Sequence, residues 1–172
     1  MDNEILVIGE FEYELTRGVI NELLSINWKK QKKLTLYICS DGGTLRDCFA
    51  IIDIVNRIKE TFNVKVTTIG LGEVASAGFF TLLLGDKRIL AENARIYVHE
   101  HMVSEEPTQT YNERVKILKT SEKKVYEMYL KYTRERLKIT EKQAKKLLKK
   151  NKWLTSEEIK QYNIAERDIN GY

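Results

Sequence analysis

Proline and cysteine are nearly absent from this 172-residue chain: Pro107 is the single proline, and Cys39 and Cys48 are the only cysteines. Nine glycines and one proline fall well below the average combined usage of about 12%, which excludes collagen-like and low-complexity classes. Two cysteines cannot build a disulfide framework and do not have metal-site spacing, so a reducing, cytoplasmic compartment is expected. Long apolar runs are missing as well. The longest, Phe79 to Leu84, is broken by Thr81 and falls far short of the roughly 20 residues a membrane span needs. The amino terminus carries Asp2 and Glu4 instead of a basic leader segment, so no secretory signal is expected. Charge of one sign is also lacking. With 29 basic and 25 acidic residues the net charge is +4, too mild to imply nucleic acid. Seven lysines lie between Lys138 and Lys152, but no aromatic precedes Trp153 for base stacking, so this stretch is a solvated face.

What remains is a soluble α/β pattern of a length that suits one domain. Ile5 to Ile8 reads as a buried strand closed by Gly9, and Thr16 as the cap of a helix bearing Val19, Ile20, Leu23 and Leu24 on one face. Leu34 to Cys39 is a second strand, Ser40-Asp41-Gly42-Gly43-Thr44 a turn, and Phe49 to Ile58 a helix. The order then repeats: strand Val64–Ile69, a turn at Gly70 and Gly72, and a buried helix from Ala75 to Leu84. Short strands follow at Lys87–Leu90 and Ile96–His99. Strand, glycine turn, helix, strand is the order of parallel strands joined by crossovers. A long amphipathic helix is expected over about 112–137, a second from Thr140 to Lys150, and a third from Thr155 or Ser156.

Three windows could carry chemistry. Ser76 follows a strand and a glycine turn and precedes a helix. Small neighbours admit a substrate backbone there, and helix N-terminal N–H groups favour a developing oxyanion. By itself the window also fits an N-cap or a tightly packed small residue. Gly42-Gly43 follows a strand, where exposed backbone N–H groups can meet a ligand. It is not a phosphate loop, because no Gly-Lys-Ser/Thr follows. His99 ends a strand and could act as a general base, or be a structural histidine. His99 and His101 share a strand face, yet nothing nearby completes a metal site.

In order and spacing these windows resemble the Clp protease proteolytic subunits, the ClpP family, over nearly the whole chain. Leu36 to Gly43 resembles that family's strand followed by Ser-Pro-Gly-Gly, with Asp41 replacing the proline. Gly72 to Gly78 resembles its nucleophile window, Gly-Met-Ala-Ala-Ser-Met-Gly. Asn93 to His99 resembles its Asn-Ser-Arg-Val-Met-Ile-His, and Trp153-Leu154-Thr155 through Ile164 its carboxyl-terminal windows. The resemblance implies a ClpP/crotonase-like spiral of β-β-α units. It divides residues 1–172, as one domain, into a core of about 1–100 and 138–172 and a handle of about 101–137. It implies a cofactor-free serine endopeptidase acting on polypeptides, with Ser76 as nucleophile, His99 as general base, and Gly43 and Ala77 N–H groups as oxyanion donors. Gly42, Glu100 and His101 would border the substrate. Stacked heptameric rings of identical subunits are the implied assembly, with no metal, nucleic acid or membrane involved.

The chain departs from that pattern in three places. Asn151 stands where the family has its acid. An Asn oxygen can accept from the histidine Nδ1–H but brings no charge, and losing the acid from such a triad can cost about 10⁴ in kcat. Glu100-His101 replaces the family's Gln-Pro. The family's axial loops and first helix have no counterpart before Ile5, and these elements help dock an AAA+ unfoldase. The missing acid leads to the expectation of a slow or activation-dependent enzyme, the missing docking elements put an AAA+ partner in doubt, and the short chain also suits a phage- or virus-type member of the family. The alternatives are a weak or inactive assembly subunit, a crotonase-type acyl-CoA enzyme, and a Ser-Lys hydrolase like the signal peptide peptidases. His99 in its matching window disfavours the last two.

Overall fold

The computed structural model describes residues 3–100 and 111–167, with side chains in the long fourth helix described from Lys123 onward. His101 and the first part of the expected handle, 101–110, lie outside the described residues. The elements are β1 (Asn3–Ile8), α1 (Tyr13–Ser25), β2 (Lys33–Ser40), α2 (Leu45–Phe62), β3 (Lys65–Ala75), α3 (Ala77–Leu82), β4 (Lys87–Leu90), β5 (Arg95–Val98), α4 (Tyr111–Leu137), α5 (Glu141–Leu148), β6 (Lys152–Trp153), α6 (Ser156–Gln161) and β7 (Glu166–Arg167). The main sheet runs β1-β2-β3-β4-β7 with every neighbouring pair parallel.

β3 is the spine. Its first half, Thr67–Gly70, pairs with β4, and its second half, Glu73–Ala75, pairs with β5. Along β2 the register jumps from Ile38 opposite Gly70 to Ser40 opposite Val74, so β3 carries two extra residues there. Gly72 takes up this bulge at φ +49°, and a side chain at Gly70 would collide with Leu90 and Val74. The glycines therefore bend a continuous strand. The turn expected at Gly70 and Gly72 does not form, and the helix starts at Ala77, not Ala75.

One buried apolar cluster takes Ile5 and Val7 from β1, Leu34, Leu36 and Ile38 from β2, Ile51, Ile52 and Val55 from α2, and all the apolar residues of α3. β1 is buried on one face only: Leu6 and Ile8 are 59% and 50% exposed, where a wholly buried strand was expected. α2 starts where the expected turn ends, capped by the Thr44 hydroxyl, which accepts from Asp47 N at 3.2 Å. α1 departs from expectation. It begins at Tyr13 with Glu12 at the cap position, so Thr16 is not its cap but lies buried inside the first turn.

The carboxyl-terminal helices are fastened by polar groups. Thr140 with Gln143, and Thr155 with Glu158, form capping boxes at α5 and α6. Arg136, near the end of α4, donates to the carbonyls of Leu83, Leu84 and Gly85 at 2.6, 2.5 and 2.9 Å. Arg88 in β4 donates to Ile164 and Asn163 carbonyls at 2.6 and 2.9 Å. These charge-assisted bonds tie α4 to the loop after α3, and β4 to the segment that follows α6.

Two outcomes are expected. The Thr16 hydroxyl is buried with no hydrogen-bond partner among the described residues. Thr16→Val removes that desolvation penalty, so it should raise stability to denaturant by about 1 kcal/mol; a loss would show the hydroxyl to be satisfied. Glu158 is held down to about 2 from 4.5, first by Lys150 donating at 2.5 Å, then by the Thr155 N–H. A depressed carboxylate stabilises the fold fully above its unfolded pKa and loses that contribution as pH falls from 4.5 toward 2. Glu158→Gln should flatten the acid limb of Tm against pH in that window and leave its shape near neutrality unchanged.

Candidate active site

Ser76 occupies the one residue between β3 and α3. It sits at φ +50° and ψ −114°, an unusual conformation for a residue bearing Cβ, and its side chain makes no capping hydrogen bond. The turn is held by Ser76 N donating to Tyr97 O at 3.2 Å and Phe79 N donating to Ser76 O at 3.1 Å. The hydroxyl is left half-buried, with no hydrogen-bond partner among the described residues, at the head of a buried helix. A sharp strand-to-helix turn of this kind presents a side-chain oxygen. The capping role that the sequence alone permits is not used.

The glycine turn packs directly on it. A side chain at Gly42, which is at φ +118°, would come 2.6 Å from Ser76 Cβ, and one at Gly43 would overlap the Phe11 backbone. Phe11 N donates to Gly42 O at 2.6 Å and Thr44 N donates to Phe11 O at 2.8 Å, so this bridge leaves the Gly43 N–H out of the ladder. Ala77 opens α3, so its N–H has no intrahelical partner.

His99 directly follows β5. Ser76 and His99 line one pocket with Leu45, Phe79, Phe80, Val98 and Tyr129. Among the described residues no hydrogen bond joins the Ser76 hydroxyl to the imidazole. His99 Nδ1 lies 2.6 Å from the carbonyl oxygen of Glu100. β6 pairs antiparallel with β5, placing Lys152 opposite Val98 and Trp153 opposite Tyr97. That pairing delivers Asn151, itself at φ +47°, beside the Glu100 backbone, where its Oδ1 accepts from Glu100 N at 2.9 Å. The direct Asn151–His99 hydrogen bond implied by the resemblance is not among those of the described residues: the Asn151 oxygen accepts from the Glu100 N–H, and His99 Nδ1 faces the Glu100 carbonyl. Lys149 reaches the Glu100 carboxylate at 3.7 Å.

An aromatic rail leads away from His99. Its ring lies 5.8 Å from that of Tyr97, Tyr97 lies 5.1 Å from Trp153, and the Arg95 guanidinium stacks 4.1 Å over Trp153. Arg95 also pairs with Glu73 and holds that carboxyl below its usual range. Cys48 is no competing nucleophile. Burial pushes its thiol up to about 12, and its Sγ lies 3.2 Å from Ala77 O.

The structure thus gathers Ser76, His99, Gly42, Gly43 and Ala77, with Glu100 and Asn151 one step behind the histidine. His101 lies outside the described residues. No group of three or more potential ligands that could hold a metal occurs among the described residues. No helix there is long and apolar enough to cross a membrane. Tyr129, Leu45 and the Glu100 carbonyl escaped the sequence reading. Tyr129 carried a signal, a place on the apolar stripe of α4, whereas the carbonyl had none.

The fold is an α/β spiral in which a serine turn and a histidine strand end meet over a glycine turn. The family model for Clp protease matches residues 1–170, and the chain belongs to the Clp protease family. The ATP-dependent Clp protease proteolytic subunit 2 of Treponema pallidum (strain Nichols) is 33% identical over 100 residues. That match covers 56% of this chain and 48% of the relative, so it spans about half the relative's length. Among solved structures, an asparagine-to-aspartate mutant of ClpP1 from Listeria monocytogenes is similar at a TM-score of 0.80 and 25% identity, over 98% of this chain and 92% of that one. The fold is therefore ClpP-like.

The close approach of the glycine turn can be measured against an internal control. Gly9, at φ +111°, has open space around a would-be Cβ, whereas Gly42, at φ +118°, meets Ser76. Gly9→Ala should cost only backbone strain. Gly42→Ala should cost about 1–3 kcal/mol more in chemical denaturation, the ordinary penalty for overpacking. Equal losses would mean that the turn does not press on Ser76.

Proposed function

We propose that this chain is a serine endopeptidase of the ClpP type. The observation that carries the reading is the meeting of an uncommitted, strained Ser76 with His99 in one pocket beside two glycines. In the proposed reaction His99 Nε2 takes the proton from Ser76 Oγ as that oxygen attacks the carbonyl carbon of a peptide bond. The resulting oxyanion meets the N–H groups of Gly43 and Ala77. The tetrahedral intermediate collapses, the imidazolium gives its proton to the leaving amine, and an acyl-enzyme remains on Ser76. Water, deprotonated by the same imidazole, then releases the acid and restores the serine. No metal or organic cofactor takes part in these steps.

Leu45, Phe79, Phe80, Val98 and Tyr129 wall the pocket and favour an apolar side chain on the acyl side of the cut bond. On this reading substrates are polypeptides and the working form is a ring assembly of identical subunits, which membership of the family supports. Asn151 stands at the acid's position without charge, so turnover is slow, by up to about 10⁴ against a full triad. That same lack of charge favours a second reading, a weakly active or inactive assembly subunit.

A fluorophosphonate probe decides between them. The peptidase reading expects one adduct by intact mass, mapped to Ser76 by fragmentation and absent from Ser76→Ala. It also expects a parallel loss of peptide hydrolysis in that variant. A correctly folded protein that stays unlabelled at Ser76, with native mass confirming its assembly, would leave the subunit reading.

A further inference from the structure

Resting on the peptidase reading of Ser76 and His99, we propose that Asn151 is a positioning residue that acts through Glu100 rather than as a direct partner of the histidine. A carbonyl oxygen can only accept, so the 2.6 Å contact between His99 Nδ1 and Glu100 O is favourable only when Nδ1 carries the proton. That fixes the tautomer and leaves Nε2 as the basic nitrogen, the form a general base for Ser76 must have. The Glu100 carbonyl thereby fills the orienting role that a carboxylate fills in a full triad.

The carbonyl can do this only if Glu100 itself is held. Two groups from the connection between α5 and β6 hold it. Asn151 Oδ1 accepts from Glu100 N at 2.9 Å, and Lys149 reaches the Glu100 carboxylate at 3.7 Å. The adjacent Val98–Lys152 pairing fixes the spacing of the two segments. Asn151 suits its place for a backbone reason too. It sits at φ +47°, and asparagine is among the few side-chain-bearing residues that visit this region routinely. Among the described residues, the charged and titratable groups near His99 are Glu100, paired with Lys149, the Tyr97 phenol, and Lys152, which pairs with Glu158 at 3.1 Å.

Direct contact and action through Glu100 make opposite demands on a carboxylate at position 151. Touching the imidazole, an aspartate would stabilise the imidazolium, with a gain of up to about 10⁴ in rate and a raised titration midpoint. Holding only the Glu100 N–H, it replaces one acceptor by another.

The test compares the wild type, Asn151→Asp and Asn151→Gly by the rate of fluorophosphonate acylation of Ser76 across pH 5 to 9, with circular dichroism confirming the fold. Glycine keeps the left-handed backbone while deleting the acceptor. Acylation within about threefold of wild type for the aspartate variant, with little change in midpoint, and a loss of about tenfold for the glycine variant would support the proposal; the tenfold loss corresponds to roughly 1.4 kcal/mol. A hundredfold or greater gain with aspartate, or a midpoint raised by a unit or more, would overturn the positioning role and leave the peptidase reading intact. A glycine variant that reacts at the wild-type rate would do the same. A wild type that never labels at Ser76 overturns the peptidase reading, and the positioning role with it.

Discussion

Everything at the site depends on β3 having to satisfy two partners along one strand. Its first half keeps register with β4 and its second half with β5, while β2 runs beside both. Two extra residues must be absorbed between them, and Gly72 at φ +49° absorbs them. Without that bulge Val74 would not return to face Ser40, and Ser76 would not arrive above Gly42. The unusual backbone of Ser76 is thus the last consequence of a pairing constraint that begins six residues earlier, at Gly70. Such a conformation persists when surrounding structure over-determines it. Here Tyr97 O, the glycine turn and the buried α3 together supply that surrounding.

The same economy governs the histidine side. His99 is placed by β5, and β5 is flanked by β3 on one edge and the two-residue β6 on the other. The short antiparallel pairing brings the carboxyl-terminal third of the chain back to the site. Arg136 and Arg88 help keep that third in place by donating to carbonyls of the loop after α3 and of the segment following α6. A disturbance in α6 could therefore reach Asn151 through Lys150 and Lys152, both paired to Glu158, without touching the pocket.

How much of this was legible in the sequence follows from which signals are local. The parallel strand-helix order, the helix starts near Thr140 and Thr155 and the apolar residues of α2 are written in nearest-neighbour patterns, and the observed elements follow them. The continuity of β3 through Gly70 and Gly72 was not legible, because glycine punctuates a turn and a bulge alike; only the pairing with β4 and β5 decides. Thr16 looked like a cap because its residue type and place before an apolar stripe fit one. The cap position instead falls four residues earlier, at Glu12, with no side-chain cap. Strand β6 has too few residues for periodicity to register. At the site, side-chain chemistry pointed to Ser76 and His99, whereas the Glu100 carbonyl carries no residue-type signature at all.

The two departures around His99 are best understood together. Where the family resembled by this chain has Gln-Pro, this chain has Glu100-His101. A proline disfavours the helical region for the residue before it and so stiffens that residue without any tertiary contact. With His101 in its place, Glu100 loses the intrinsic restriction, and its conformation must be fixed from outside. Asn151 Oδ1 on the Glu100 N–H and Lys149 on its carboxylate are external restraints of that kind. On the proposed reading, the departures at His101 and at Asn151 then stop being independent. On that reading a neutral acceptor at position 151 is sufficient to hold Glu100, and no charge is directed at the imidazole from there.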